Sequence, residues 1–556
     1  MAPMRPVELE DDDPGPRDAA PPAGRSSSQR AAAQPGDAGR RGWGVRRGRR
    51  GRGERTTVVE LDDDPATAHT ADVDPADIDA TDIDAADADG AGQGRDQGPG
   101  RRHRGRWFVV GGAAVLVVGA VVAQHVLDER REARATRFDD VPGVLLPLDG
   151  PPRMRDDVRF EALYAPVQVG GVLLVHRAVP DSRTTARVEA LDRATGDIVW
   201  RRDLAVPPAL ETLVREDLEP LDVTCRPLGT QAAACVVTTG TVFAGSGVDD
   251  LLVVLDATDG TVLEQRDLGA AGWTTSGTSI VTADPGRDPL RPERELWTVQ
   301  SRVGTGPRAG TLEWTWTADE PLDRDAPTYT TGQAIDVLGD RILLTPLDAP
   351  WWLLDTSGAL VAQGELAEGE FAALARGGVV MVSPVLGSDL NDGALVVGDR
   401  RVEAGWVTRA SVDDGTAPDV TFTVRQDGAA VSVHAWDAAT GDALWDRTVL
   451  SPDPLVLDGR VYLLGAGGTV AAVDARTGEE VWSASAGDFA SWLATDGRRV
   501  LALGTSDRVR ALDLDSGARV WEGTVPGAEY GLWPTGGVLA APESGLERPA
   551  LVVARP

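Results

Sequence analysis

The sequence predicts an all-β fold, a β-propeller of eight blades with seven as the alternative, behind one transmembrane helix and a disordered N-terminal tail. Three observations predict it. The phrase Ala-x-Asp-x-x-Thr/Ser-Gly-x-x-x-Trp occurs four times without a gap, at Ala190 to Trp200, Ala435 to Trp445, Ala472 to Trp482 and Ala511 to Trp521. Later copies stand at a blade-like interval, 37 residues from Asp437 to Asp474 and 39 from Asp474 to Asp513, near the ~40–45 of a four-stranded blade. Only the stretch from Trp107 to Leu127 has the length and apolarity of a membrane span.

Residues 1–106 lack apolar periodicity and are dominated by Pro, Gly, Asp and Arg, the composition of a disordered tail. VELEDDDP at Val7 is nearly repeated as VELDDDP at Val59, with an Arg-rich block between them at Arg40 to Arg55. Asp-x-Asp units recur every five residues from Ala71 to Gly90. No EF-hand loop with its Gly and terminal Glu follows them, so they read as an acidic, solvated spacer. Residues 107–127 follow as the expected transmembrane helix. More than a hundred residues precede it and no small-residue cleavage pattern follows, which makes it a retained anchor rather than a signal peptide. Arg101, Arg102, Arg104 and Arg106 abut its start. Arg130, Arg131, Arg134 and Arg137 lie beyond it, so the charge asymmetry is modest. The nearer and larger basic flank places the N-terminus in the cytoplasm and the propeller outside. A stalk is expected at 128–157 and the propeller at 158–556.

Within the propeller each phrase reads as strand, tight turn, strand. The Asp (Asp192, Asp437, Asp474, Asp513) accepts from the backbone N–H groups of the turn. The Gly (Gly196, Gly441, Gly478, Gly517) supplies positive φ. The Trp (Trp200, Trp445, Trp482, Trp521) falls on the outgoing strand, where its ring can wedge against a neighbouring unit. Degenerate copies fill the wider intervals. Asp256 and Gly260 are followed by Glu264 in place of Trp, Asp355 and Gly358 have a turn one residue shorter, and GTLEW keeps only Gly310 and Trp314. The 82 residues from Asp355 to Asp437 leave room for one further blade. The final strands, GGVLAAP and ALVVARP, are expected to complete the first blade and latch the ring. Cys225 and Cys235 flank a Pro-Leu-Gly-Thr-Gln turn that can bring them opposite each other, so an oxidising compartment would join them as a disulfide.

The phrase resembles the tryptophan-docking motif of propellers of the pyrroloquinoline-quinone (PQQ) type, strongly in the last third and weakly between Ala270 and Ala430. That resemblance covers roughly Asp157 to Pro556. It implies a superfamily holding both calcium- and quinone-dependent dehydrogenases and non-catalytic, membrane-anchored envelope proteins, including the propeller lipoprotein of outer-membrane barrel assembly. The dehydrogenases carry a ring of two adjacent cysteines beside the quinone and calcium ligands that include Asn. Here the cysteines are ten positions apart, the sole asparagine is Asn391, and no CxxCH sequence occurs.

Other chemistry finds little support. The propeller's two histidines, His176 and His434, sit in strand-like runs, and no GxSxG, HExxH or phosphate loop is present. The net charge is −32 on 556 residues, and all 55 basic residues are Arg. Such acidity argues against nucleic acid as a partner. The missing Lys points to a GC-rich bacterial genome, although a halophile would also be acidic. The sequence therefore predicts no enzyme, no cofactor and no metal. It predicts a single-pass membrane protein whose extracytoplasmic propeller is a binding scaffold for an envelope protein or glycan. The alternatives are a PQQ-dependent oxidoreductase and a transmembrane sensor.

Overall fold

Each full copy of the phrase folds as the third and fourth strands of a four-stranded antiparallel sheet. In the first, Thr185–Asp192 pairs with Ile198–Ala205, and Ala190 lies directly opposite Trp200. A bulge beside that pair repeats in every full copy, with Ala435 opposite Trp445, Ala472 opposite Trp482 and Ala511 opposite Trp521. All four alanines are fully buried. A larger side chain would collide at a position that closes over the packed sheet.

The computed structural model describes residues 136–553, apart from 160–165, 206–220, 240–249, 324–334, 347–349, 385–389 and a few shorter gaps. The expected tail and the expected span at 107–127 lie outside the described residues. Among the described residues no helix is long and apolar enough to cross a membrane.

The described strands form nine sheets, not eight or seven. Blades 1 to 8 use strands within 167–205, 221–269, 272–323, 335–364, 370–403, 406–449, 455–485 and 490–524. The further blade foreseen between Asp355 and Asp437 is blade 5. The miscount lies at the closure. Blade 1 already has four strands of its own, so the final strands build a ninth sheet from Trp533–Thr535, Val538–Glu543 and Gly545–Val553. Arg153–Arg159 pairs with Gly545–Val553 and forms that sheet's outer edge. The ring is thus latched by an N-terminal strand within its last blade.

Nine hydrophobic clusters match the nine sheets, each lying between two neighbours. Leu174, Val188 and Trp200 of blade 1 meet Val223, Val237 and Leu255 of blade 2. Tyr462, Val470 and Trp482 of blade 7 meet Leu493, Val500 and Leu512 of blade 8. The ring closes through Val538, Leu551 and Val553 of blade 9 against Leu173, Val175 and Leu191 of blade 1. Each fully buried aliphatic side chain contributes about 1.5–3 kcal/mol, so stability rests on the interfaces between sheets rather than within them.

First strands of blades 1 to 5 contact one another in succession, as do those of blades 7 to 9, which places them around the axis. Two departures from the regular pattern bear on the site. Between its first and second strands, blade 6 sends out an excursion whose strand Val412–Asp413 pairs in parallel with Leu455–Leu457, on the inner side of blade 7. Residues 137–149, expected as part of a stalk, pack on the ring instead. Phe138 and Val144 enter the core between blades 7 and 8, and Leu145 and Leu148 enter the one between blades 8 and 9. Leu145 N–H donates to Thr495 O (2.8 Å) and Leu148 N–H to the buried Asp496 carboxylate (3.0 Å), while Arg193 of blade 1 donates to Val144 O.

Candidate functional site

The residues singled out by the phrase are brought together in pairs across blade boundaries. The Asp192 carboxylate accepts from Ala194 and Thr195 N–H, Asp437 from Ala439 and Thr440, and Asp474 from Arg476 and Thr477, all at 2.8–3.0 Å. Asp256 accepts from Thr258 N–H and Asp513 from Ser516 N–H. The Thr477 N–H is the main cause holding the Asp474 carboxyl below the usual carboxylate range.

The Trp of one blade reaches the turn of the next. The indole N–H groups of Trp200, Trp445 and Trp482 donate to the carbonyls of Ala257, Ala475 and Leu514, at 2.8, 2.9 and 3.1 Å. Each acceptor directly follows the phrase Asp of the neighbouring turn. The degenerate blade 3 behaves alike, since Trp314 donates to Thr356 O at 2.9 Å. The ring then lies on that turn's glycine. A Cβ on Gly260, Gly358, Gly478 or Gly517 would meet the Trp ring at 2.6, 2.5, 2.5 and 2.4 Å, respectively. These glycines also hold φ between 68° and 84°, a region that L side chains rarely adopt. Trp200 and Trp482 are 8% and 9% exposed, while Trp445 and Trp521 are half-buried.

Two turns lack a Trp partner. Gly196 is packed by Leu551 and Val553 of blade 9, and Gly441 by Val397 and Val402 of blade 5. Trp521 has no phrase turn ahead of it and donates instead to Leu148 O (3.0 Å), in the segment crossing the ring.

Cys225 and Cys235 are directly paired on antiparallel strands of blade 2 and form a disulfide. The bond staples the innermost strand to its neighbour. Asn391 donates to Gln426 O (2.7 Å) and accepts from Gln426 N–H (3.0 Å), clipping a loop of blade 5 to blade 6. Among the described residues no group of three or more His, Cys, Asp or Glu is placed to hold a metal. Neither the cross-strand cystine nor this asparagine fits the quinone and calcium of the dehydrogenases. His176 and His434 lie apart, in blades 1 and 6. Burial lowers the pKa of both, His176 to about 4.

The concave feature near the axis lies where no phrase residue reaches. A recess of about 280 Å³ opens between blades 7, 8 and 9, lined by Ser411, Ser451, Asp453, Trp492, Trp533 and Pro534. Ser411 belongs to the excursion from blade 6, held there by Ser411 N–H to Pro454 O (3.0 Å) and Thr408 Oγ1 to Pro452 O (2.9 Å). Pro452 and Pro454 bracket Asp453 and restrict its backbone. A bulge between Ala490 and Trp492 breaks the strand register where Trp492 joins the lining. Solvent reaches Asp453 through the open mouth, yet the surrounding protein crowds its carboxyl enough to raise its pKa. The Ser-Pro-Asp-Pro run between two strands and two tryptophans outside the phrase were the available sequence signals. Neither says that they converge.

Residues 401–532 match the family model of PQQ-type repeats described as outer membrane protein assembly factor BamB. These residues hold blades 6 to 8, where three full copies of the phrase stand. No curated protein matches the chain in sequence. Among solved structures, BamB from Moraxella catarrhalis is similar at 16% identity, over 72% of this chain and 96% of that one, with a TM-score of 0.35. The quinohemoprotein alcohol dehydrogenase from Comamonas testosteroni is similar at 12% identity over 72% and 76%, with a TM-score of 0.31. The C-terminal WD40 domain of Sif2 is similar at 11% identity over 73% and 99%, with a TM-score of 0.37. Residues 401–532 thus carry repeats similar to those of the PQQ-type β-propeller family, and the docking of Trp445 and Trp482 on the turns of the next blades falls within that matched stretch.

Proposed function

We propose that this chain is a scaffold of a bacterial cell envelope. Residues 107–127 anchor it in the membrane with the N-terminus cytoplasmic, and the propeller outside binds a protein partner without turning over a substrate. The observation that carries this reading is the match of 401–532 to a family described as an outer membrane assembly factor. Within that match the phrase residues are engaged in turns and inter-blade packing, which leaves loops and the central recess for recognition. A quinone step has no support in the residues, because the cystine is a cross-strand staple and Asn391 clips two blades together.

The segment 137–149 gives the reading an orientation. It contacts the turns after the first strands of blades 7 and 8, through Arg137 with Asp458 and Leu148 with Asp496. Eight residues, 128–135, separate the expected span from the start of the described structure. In this reading the face bearing those turns is the one nearer the membrane. Residues 451–453 precede the same inner strand of blade 7 and lie at its opposite end, so the recess faces away from the bilayer.

The test treats intact spheroplasts carrying the full-length chain with protease, and cross-links a parallel sample for mass spectrometry. Digestion of the propeller with a protected tail, and specific cross-links to an envelope protein, are expected. Digestion of the tail alone reverses the topology, and glycan as the sole cross-linked species removes the protein partner. Dye reduction on adding PQQ and calcium would reinstate the oxidoreductase.

A further inference from the structure

We propose that the recess between blades 7, 8 and 9 binds a guanidinium or alkylammonium group carried on an apolar stem. The argument begins with charge. Asp453 is the only titratable side chain in the lining. Three other acids near the inner strands and the excursion have arginine partners: Asp336 pairs with Arg409, Asp413 with Arg376 and Asp496 with Arg499. Asp453 has neither an ion pair nor a hydrogen bond to any described residue. An uncompensated carboxylate in a partly desolvated pocket is costly, and its raised pKa reflects that cost. A cation entering the recess removes the penalty. An anion meets no basic group there, and a chain of net charge −32 repels it.

The rest of the lining selects the kind of cation. One carboxylate is too few for a metal site of three or four protein ligands. Trp492 and Trp533 offer aromatic surface that attracts an organic cation and covers its alkyl stem. Ser411 and Ser451 place hydroxyl oxygens where the several N–H donors of a guanidinium or ammonium need acceptors. The volume of about 280 Å³ is near the lower limit of small-ligand pockets, the size for a side-chain-like group rather than a nucleotide. The prolines and the clipped excursion hold the lining in place before the ligand arrives, which lowers the entropic cost of binding. A neutral sugar would also stack on indole rings, but it leaves the Asp453 charge uncompensated.

Agmatine and Nα-acetylarginine methylamide titrated by calorimetry into the purified full-length chain provide the test. Saturable binding in the ~0.1–1 mM range is expected. It should weaken at least about tenfold in Asp453→Asn, with the melting temperature unchanged or raised. Trp533→Leu should also weaken it, while Asp515→Asn, at a distant exposed acid, should leave it intact. Tighter binding of the amide assigns the group to a protein side chain, and tighter binding of agmatine to a free small molecule. The proposal is overturned if neither probe saturates by ~10 mM, if Asp453→Asn and Trp533→Leu both bind as the parent does, or if N,N′-diacetylchitobiose occupies the recess equally well in Asp453→Asn.

Discussion

At the scale of residues, the Trp and the Gly of one phrase serve different interfaces. Trp482 belongs to blade 7 but lies on Gly517 of blade 8, and its N–H is satisfied by Leu514 O. Trp482→Ala is expected to cost about 3–5 kcal/mol, as for other large buried aromatics. Gly517→Ala should also be severe, because its methyl meets the indole ring at 2.4 Å and its φ is +70°. In a Trp482→Ala background the same glycine change should cost less, with a coupling of about 1 kcal/mol or more in a denaturant double-mutant cycle. Strict additivity would mean that the ring does not impose the glycine. His176 gives a pH dependence. Burial favours its neutral form and lowers its pKa from 6.5 to about 4. The folded state therefore binds fewer protons than the unfolded state between those values. The stability due to neutral His176 is complete above about pH 6.5 and is lost as pH falls towards about 4. Urea midpoints across that window should fall less steeply in His176→Gln than in the parent. Identical slopes would show that His176 is solvated.

At the scale of elements, the excursion from blade 6 is tied to blade 5 by an ion pair, beside its backbone bonds to blade 7. Arg376, 7% exposed, donates from Nε to Asp413 Oδ2 (2.7 Å) and from Nη2 to Oδ1 (3.0 Å). Its remaining donors meet the carbonyls of Thr416, Ala417 and Val420. Removing one partner strands a buried charge, so Asp413→Ala should cost about 3 kcal/mol. The double variant Arg376→Met/Asp413→Leu should recover part of that loss, because no charge is left unpaired while the carbonyls of Thr416, Ala417 and Val420 lose their arginine donor. Chemical denaturation of the three proteins checks the order. A single variant as stable as the parent would show that the excursion is held without the pair. The same element carries Ser411, so Asp413→Ala should also loosen the recess lining.

At the scale of the whole molecule, the ring closes only because chain from before blade 1 returns to blade 9. Arg153–Arg159 covers the edge of Gly545–Val553, and 137–149 spans blades 7, 8 and 9 before reaching Arg193 of blade 1. Each blade depends on two neighbours, so losing the latch exposes one sheet edge and removes contacts of three interfaces. A chain beginning at Pro166 should melt well below the parent and self-associate through the uncovered edge. Light scattering and thermal melts test this. A monomer of parental melting temperature would show that the nine inter-blade cores suffice without the latch.

The sequence by itself determined the local chemistry of the repeat. The Asp that caps the turn, the Gly that bends it and the Trp that leaves it act within eleven residues, so their spacing carries the information. The Cys225–Cys235 pairing was legible for the same reason, since a short turn sets the strand register. Eight of the nine blades could be placed from phrases and intervals. Blade 9 could not, because its fourth strand lies almost four hundred residues before its third. Nor could the sequence say that Trp482 answers to Gly517, that 137–149 lies on the ring, or that Asp453, Trp492 and Trp533 line one recess. Those are contacts between residues that share no local pattern. Only closure of the ring brings them together, because each sheet must bury its faces against whichever neighbours the chain's return supplies.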